Sequence, residues 1–175
     1  MAVLVKFSPP IDQPIGRRVA DLLVAEHLAL ECIRDAGRSA ARSAVIGGGD
    51  RVFLEVQRFD RDAEGRRGLV SLLALDMEFV GRLETWTVAA EALFAARRID
   101  AATLEQVVWL ERFGEWIGNT DRHLGNLSFV FEGGALGGLA PVYDMLPMRY
   151  VPRSGEIVPV RLPMPVLSPT HAAAW

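Results

Sequence analysis

Cysteine and lysine are all but missing from this chain of 175 residues: each occurs once, as Cys32 and Lys6. A single cysteine excludes an internal disulfide and fits a reducing compartment. With one lysine, the positive charge falls to arginines that are scattered along the chain rather than massed in a stripe. A net charge of −3 and a pI near 5.6 give no global electrostatic case for direct nucleic-acid binding. Long apolar runs are lacking too. No stretch approaches the ~20 residues needed to span a bilayer. The opening MAVLVKFSPP has only a four-residue apolar run before Lys6, too short for a signal-peptide core. The expectation is a cytoplasmic protein without membrane contact, and Asn126-Leu127-Ser128 is then a chance match to a glycosylation sequon.

Half of the residues are hydrophobic, so a packed core is available and wholesale disorder is excluded. VLVKF (3–7) reads as a short strand ended by Ser-Pro-Pro, and residues 16–36 read as a helix stopped by Gly37. RVFLEVQRFDR (51–61) reads as a buried strand with a polar exit. Helical patterns follow over 68–80, 84–98 and 100–117. The last has Asp100 as N-cap and an apolar face of Leu104, Val107, Val108, Phe113 and Trp116. LSFVF (127–131), the glycine-rich EGGALGG (132–138) and LAPVY (139–143) complete a hairpin. Strand, helix, strand, helical block and hairpin together imply α+β architecture.

That hairpin makes the segment GNTDRHLGNLS (118–128) informative. Out and back over similar lengths would return Asp144 beside Asn126, with Asp121 in the loop just ahead. Converging oxygen donors suit Mg2+, which keeps several waters and is held by one or two carboxylates plus substrate phosphates. Asn126 and Asp144 would be its ligands. Asp121 would stay off the metal and orient a hydroxyl or accept its proton. The competing reading is turn chemistry, since Asp and Asn side chains bond nearby backbone.

A second pair is independent of the first. At about 100° per residue, Leu22, Leu23, Leu30 and Ile33 lie within about 60° of Val19 on the first helix, and Glu26 falls in the middle of this face. Glu31 points about 120° away, toward solvent. A carboxylate on a buried stripe is costly unless a cation meets it. Lys6, on the strand before this helix, is the candidate; a snorkelling glutamate at a domain edge is the alternative. A strand lysine held by a helix glutamate is how a kinase fold positions its nucleotide-binding lysine.

IGNTDRHLGNLSF, LAPVYDM, FLEVQRFDR, and VLVKFSP followed by AEHLAL occur in this order from Lys6 to about Tyr150. Together they resemble the HipA-like serine/threonine kinases of bacterial toxin–antitoxin systems. The resemblance implies a protein-kinase-like fold, with a partial N-lobe over 1–60 and a helical C-lobe over 61–175 that carries a catalytic β-hairpin. It implies ATP and Mg2+ as cofactors, Asp121 as the catalytic Asp, and Asn126 and Asp144 as metal ligands. Lys6 would contact the ATP phosphates and be steadied by Glu26. Gln57 to Phe59 would form the hinge whose backbone meets adenine, and His123 would prop the catalytic loop. The implied partners are a protein substrate such as an aminoacyl-tRNA synthetase and a HipB-like DNA-binding antitoxin.

This sequence also departs from the family pattern. The phosphate-covering loop that precedes the family's lysine strand, with its regulatory serine, finds no counterpart in the five residues before Lys6. The helices expected after the Pro-rich segment find none either. The expectation is a chain lacking material at both ends, with the lysine strand at an open sheet edge. Two other readings stand beside this one: a small-molecule kinase of the aminoglycoside phosphotransferase type, and an inactive fragment or binding module of a toxin–antitoxin complex.

Overall fold

A computed structural model of the chain describes residues 2–61, 63 and 65–161; most of the Pro-rich C-terminal stretch lies outside them. The elements run β1 (Val3–Phe7), α1 (Pro14–Asp35), β2 (Ser43–Gly48), β3 (Arg51–Gln57), β4 (Gly68–Ser71), α2 (Leu72–Phe79), α3 (Trp86–Ala95), α4 (Ala101–Trp116), β5 (Ser128–Glu132) and β6 (Ala135–Leu139). Two antiparallel three-stranded sheets result, ordered β1-β3-β2 and β4-β5-β6. The α+β class is as expected, and β1 is an edge strand.

The first sheet sets Lys6 opposite Leu54 on β3, and α1 packs on the same face. Helix α1 opens with proline in its first turn, where the missing N–H matters least, and ends at Gly37, whose φ of +74° suits only glycine readily. Its buried side is Ala20, Leu22, Leu23, Glu26, Ala29, Leu30 and Ile33, while Val24 and Leu28 are exposed. Leu23 joins a small cluster with Ala41, Leu54 and Val56, flanked by Phe59 and Tyr143. Ala29, Leu30 and Ile33 join the main core with α2, α3, α4 and β5, centred on Trp86, Leu93, Leu110 and Phe129. Each fully buried side chain of that size contributes about 1.5–3 kcal/mol. Glu26 thus sits between two apolar clusters, on the helix that joins them.

Four expectations need correction. SAVIGG, passed over in the sequence, is strand β2, which turns through Gly49 and Asp50 into β3. The β3 strand ends at Gln57 rather than 61, because Arg58 pairs with Asp60 and turns the chain. The segment 68–80 is not one helix: Gly68–Ser71 pairs with β5 first, and Ser71 then caps α2 by accepting from Ala74 N–H at 3.2 Å. The close approach of Gly68 to Phe131 leaves no room for a side chain. The hairpin turn is only Gly133-Gly134, with φ of +60° and +79°, the requirement of a two-residue primed turn. The return strand is therefore 135–139, not 139–143. Glycines at 137 and 138 weaken a strand but do not forbid one that is paired.

Gly16 fixes where α1 begins. An added Cβ would lie 1.8 Å from the Pro10 carbonyl oxygen, a backbone atom that cannot rotate away. Gly16→Ala should therefore destabilise the fold by about 2–3 kcal/mol, read as a lower urea midpoint at unchanged slope. A cost below about 0.5 kcal/mol would mean that the Pro9-Pro10 loop is not held against α1.

Candidate active site

Residues 140–144 leave the β5–β6 hairpin and cross to the other sheet. Ala140 N–H still donates to Ser128 O at 2.9 Å. Val142 then exchanges bonds with the α1–β2 linker, donating to Ser39 O at 3.0 Å and accepting from Ala41 N–H at 2.8 Å. This crossing carries Asp144 to β1. Lys6 Nζ lies 2.6 Å from Asp144 Oδ1, and 2.7 and 2.8 Å from the two oxygens of Glu26. Glu26 is 1% exposed, whereas Lys6 and Asp144 are each more than a third exposed. The pairing of Lys6 with Glu26 was legible in the sequence; the contact of Lys6 with Asp144 was not.

Electrostatics at this cluster run in two directions. Burial by itself would lower the Lys6 ammonium, but Glu26 and Asp144 outweigh it and hold the group above its ordinary value. Glu26 is raised, first by burial, against the opposing pull of Lys6. Asp144 is also strained: its φ of +57° puts a non-glycine residue in the left-handed region, at a cost of order 1 kcal/mol that neighbouring contacts must sustain.

The loop ahead of the hairpin is built by His123, as expected, and by Asn119 and Trp86, which sequence reasoning missed. Helix α4 ends through Gly118, at φ +75°, and Asn119 follows with 1% exposure. Asn119 Oδ1 accepts from Asp121 N–H at 2.9 Å, and its Nδ2 reaches the buried Met145 Sδ at 3.7 Å. The Asp121 carbonyl accepts from Asn126 Nδ2 at 2.9 Å. Held on both sides through its backbone, Asp121 presents its side chain at the surface. His123 caps the short 3-10 turn Leu124–Asn126, with Nδ1 accepting from Gly125 N–H at 3.1 Å. The fully buried Trp86 donates its indole N–H to His123 O at 2.9 Å. An isolated tryptophan opening an apolar helix and a polar Asn just past a helix-ending glycine were the only signals for these two roles.

The donor set fits a magnesium ion completed by substrate oxygens. With Asn126 Nδ2 committed to Asp121 O, its Oδ1 is the end left for a cation. Among the described residues no group of three or more His, Cys, Asp and Glu gathers into a cage, and Mg2+ is commonly held by one or two protein groups plus phosphates. The segment expected as a hinge is less open. The N–H of Gln57 donates to Arg42 O at 2.7 Å and that of Arg58 to Ala2 O at 3.0 Å. Phe59 lies against Tyr143 with the rings tilted and their centroids 5.8 Å apart. An adenine would have to meet other backbone groups there.

The description "HipA-like C-terminal domain" matches residues 2–173. The toxin YjjJ of Escherichia coli (strain K12) is 40% identical over 158 residues, which are 89% of this chain and 35% of that protein. Among solved structures, the Helicobacter pylori proinflammatory kinase CtkA aligns with a TM-score of 0.61 at 19% identity, over 83% of this chain and 51% of that one. HipA in the Shewanella oneidensis MR-1 complex of HipA, HipB and operator DNA aligns with a TM-score of 0.60 at 20% identity, over 83% and 37%. At such identity these two establish the fold, which is kinase-like and of the HipA type. The chain spans about a third of the length of the curated relative it matches.

Lys6→Met would leave Glu26 buried without its cation, at a cost on the order of 3 kcal/mol near neutral pH. The sign of its pH dependence follows from Glu26. A carboxyl raised in the folded state binds its proton more tightly there than in the unfolded chain, so acidification favours folding. The loss in Lys6→Met should therefore shrink as pH falls through the raised Glu26 value toward the ordinary glutamate range. Adding Glu26→Gln should recover most of it at neutral pH. Urea unfolding across pH checks both, and a pH-independent loss would place the cost elsewhere.

Proposed function

The chain belongs to the HipA-like C-terminal domain family, and from that premise we propose that it is the catalytic region of an ATP- and Mg2+-dependent protein serine/threonine kinase. The observation that carries this reading is the grip of Glu26 and Asp144 on one ammonium, at 2.6–2.8 Å. A buried glutamate that steadies a strand lysine next to a metal-binding aspartate is the working geometry of phosphoryl transfer.

In this reading Lys6 contacts the nucleotide phosphates, and Glu26 keeps its side chain extended toward them. Asn126 and Asp144 hold Mg2+, which when bound spreads and neutralises charge over the phosphate oxygens. Asp121 aligns the acceptor hydroxyl and takes its proton. The loop backbone fixed by Asn119, Trp86 and His123 keeps Asp121 in place, so the rate comes from positioning rather than from covalent participation of the protein. The segment around Gln57 to Phe59 borders the adenine. The division into an N-lobe part over 1–60 and a C-lobe part over 61–175 belongs to the same proposal.

The acceptor we propose is a serine or threonine of a translation protein such as an aminoacyl-tRNA synthetase. A HipB-like antitoxin is the proposed partner; the support is the HipA neighbour solved with HipB and operator DNA. That neighbour's DNA need not be touched by this chain, whose net charge is −3. No helix among the described residues is long and apolar enough to cross a membrane.

Thermal unfolding with and without Mg2+ and ATP tests the reading. Ligand at a hundred times its dissociation constant stabilises by about 2.7 kcal/mol, or roughly 5–10 °C for a domain of this size. The shift should require Mg2+, vanish in Asp144→Ala, and persist in Asp121→Ala, which should bind nucleotide but transfer no phosphate. A folded wild type with no shift would remove the nucleotide site. Transfer to an aminoglycoside rather than to protein would move the acceptor to the small-molecule class.

A further inference from the structure

We propose that Tyr143 is a positioning residue: its hydroxyl sets the distance between Asn126 and Asp144, and so tunes the metal affinity of the pair. This rests on the kinase reading of those two residues as metal ligands.

Tyr143 immediately precedes Asp144, and its hydroxyl lies 3.2 Å from the carbonyl oxygen of Gly125, the residue before Asn126. It also lies 2.8 Å from Ser128 Oγ. The proton arrangement follows from donor capacity. A carbonyl can only accept, so the Tyr143 O–H points to Gly125 O. Tyr143 Oη then has only lone pairs for Ser128, whose hydroxyl must donate to it. Ser128 is buried, and its own carbonyl accepts from Ala140 N–H, so the donor is itself anchored at the root of the hairpin. One phenol therefore joins the turn that carries Asn126, the start of β5 and the segment that carries Asp144.

The ring is fixed at its other end. It lies against Phe59 and the cluster of Leu23, Leu54 and Val56 from α1 and β3. Apart from the weak thioether contact of Asn119 with Met145, the Tyr143–Gly125 bond is, among the described residues, the side-chain hydrogen bond between residues 119–126 and residues 140–145. Asp144 needs such a tie because its left-handed φ of +57° would otherwise relax. Groups that orient metal ligands from outside typically change metal affinity by about 10–100-fold when removed.

Tyr143→Phe keeps the ring and removes only the hydroxyl. The full chain would be titrated with Mn2+ at fixed ADP, following calorimetric heat, beside the wild type and Ser128→Ala. Hydrogen exchange of the Gly125 and Asn126 amides would be read without metal. The expected result for Tyr143→Phe is a Mn2+ midpoint raised by roughly tenfold and faster exchange at both amides, with ADP affinity at saturating Mn2+ unchanged. Ser128→Ala should move the midpoint in the same direction and less far. An unchanged midpoint in folded Tyr143→Phe, beside a wild type that titrates, overturns the proposal alone. So does an equal loss of ADP affinity at saturating Mn2+, which marks a merely structural role. A wild type that shows no Mn2+-dependent ADP binding overturns the metal reading, and the proposal with it.

Discussion

One ammonium shared between two carboxylates organises this molecule. Glu26 is buried between the two apolar clusters that α1 joins, a position no glutamate holds cheaply. Lys6 meets both of its oxygens, and the same nitrogen reaches across to Asp144. Three segments far apart in sequence are thereby brought together: an edge strand, the longest helix and the chain beyond the hairpin. The apolar clusters hold each sheet to its helices. The chain beyond β6 is tied back by the Val142 bonds to the α1–β2 linker, by Tyr143 against Phe59 and by this ion cluster. A buried ion pair adds little net stability over an apolar substitute. Its retention in the middle of an apolar face makes better sense as placement of Lys6 than as reinforcement of the core.

The loop over residues 119–126 obeys the opposite economy, with few charges and many backbone bonds. Asn119, Trp86 and His123 each spend a side-chain group on a main-chain atom of residues 119–126. The result is a loop whose backbone is fixed and whose one acidic side chain, Asp121, is free to face outward. Positioning chemistry needs this arrangement, because a carboxylate that serves as a structural cap cannot also align a substrate hydroxyl. The left-handed Asp144 complements it. Its backbone strain is held by buried neighbours, Val142 before it and Met145 after it, while the carboxylate stays partly exposed.

Much of this was legible from residue patterns, and the gaps have physical causes. Glu26 stood out because helical periodicity put it among Leu22, Leu23, Leu30 and Ile33, and burial then demanded a cation. The chain's single lysine left little choice of which. Asp100 was legible as a cap because capping is local, and it accepts from Thr103 N–H at 2.8 Å. Strand β4 was hidden because Gly68–Ser71 is too short to show alternation and runs straight into a helix; only its partner β5 makes it a strand. Strand β6 was hidden because glycines at 137 and 138 read as turn. Strand β2 could have been found, since Ala-Val-Ile followed by Gly-Gly-Gly-Asp and a second apolar run is a hairpin signature. The Tyr143 and Trp86 contacts are long-range and leave no periodic trace.

The misplaced hairpin shows that Asp144 reaches Lys6 by a route the residue pattern did not suggest. A return strand over 139–143 would have delivered Asp144 at the strand's own end, beside Asn126. The turn at Gly133-Gly134 instead completes the hairpin four residues early. The spare residues 140–144 then cross to the α1–β2 linker, and Asp144 meets Lys6 as a consequence. Tyr143, the residue before Asp144, reaches back to Gly125, the residue before Asn126. In the proposed kinase, Asn126 and Asp144 would hold Mg2+, and Lys6 would exchange the Asp144 carboxylate for phosphate oxygens. That exchange trades one charge-assisted contact for another, while Glu26 holds the nitrogen throughout. A buried, bidentate anchor on one side and an exposed, replaceable contact on the other let one lysine serve both states without leaving its strand.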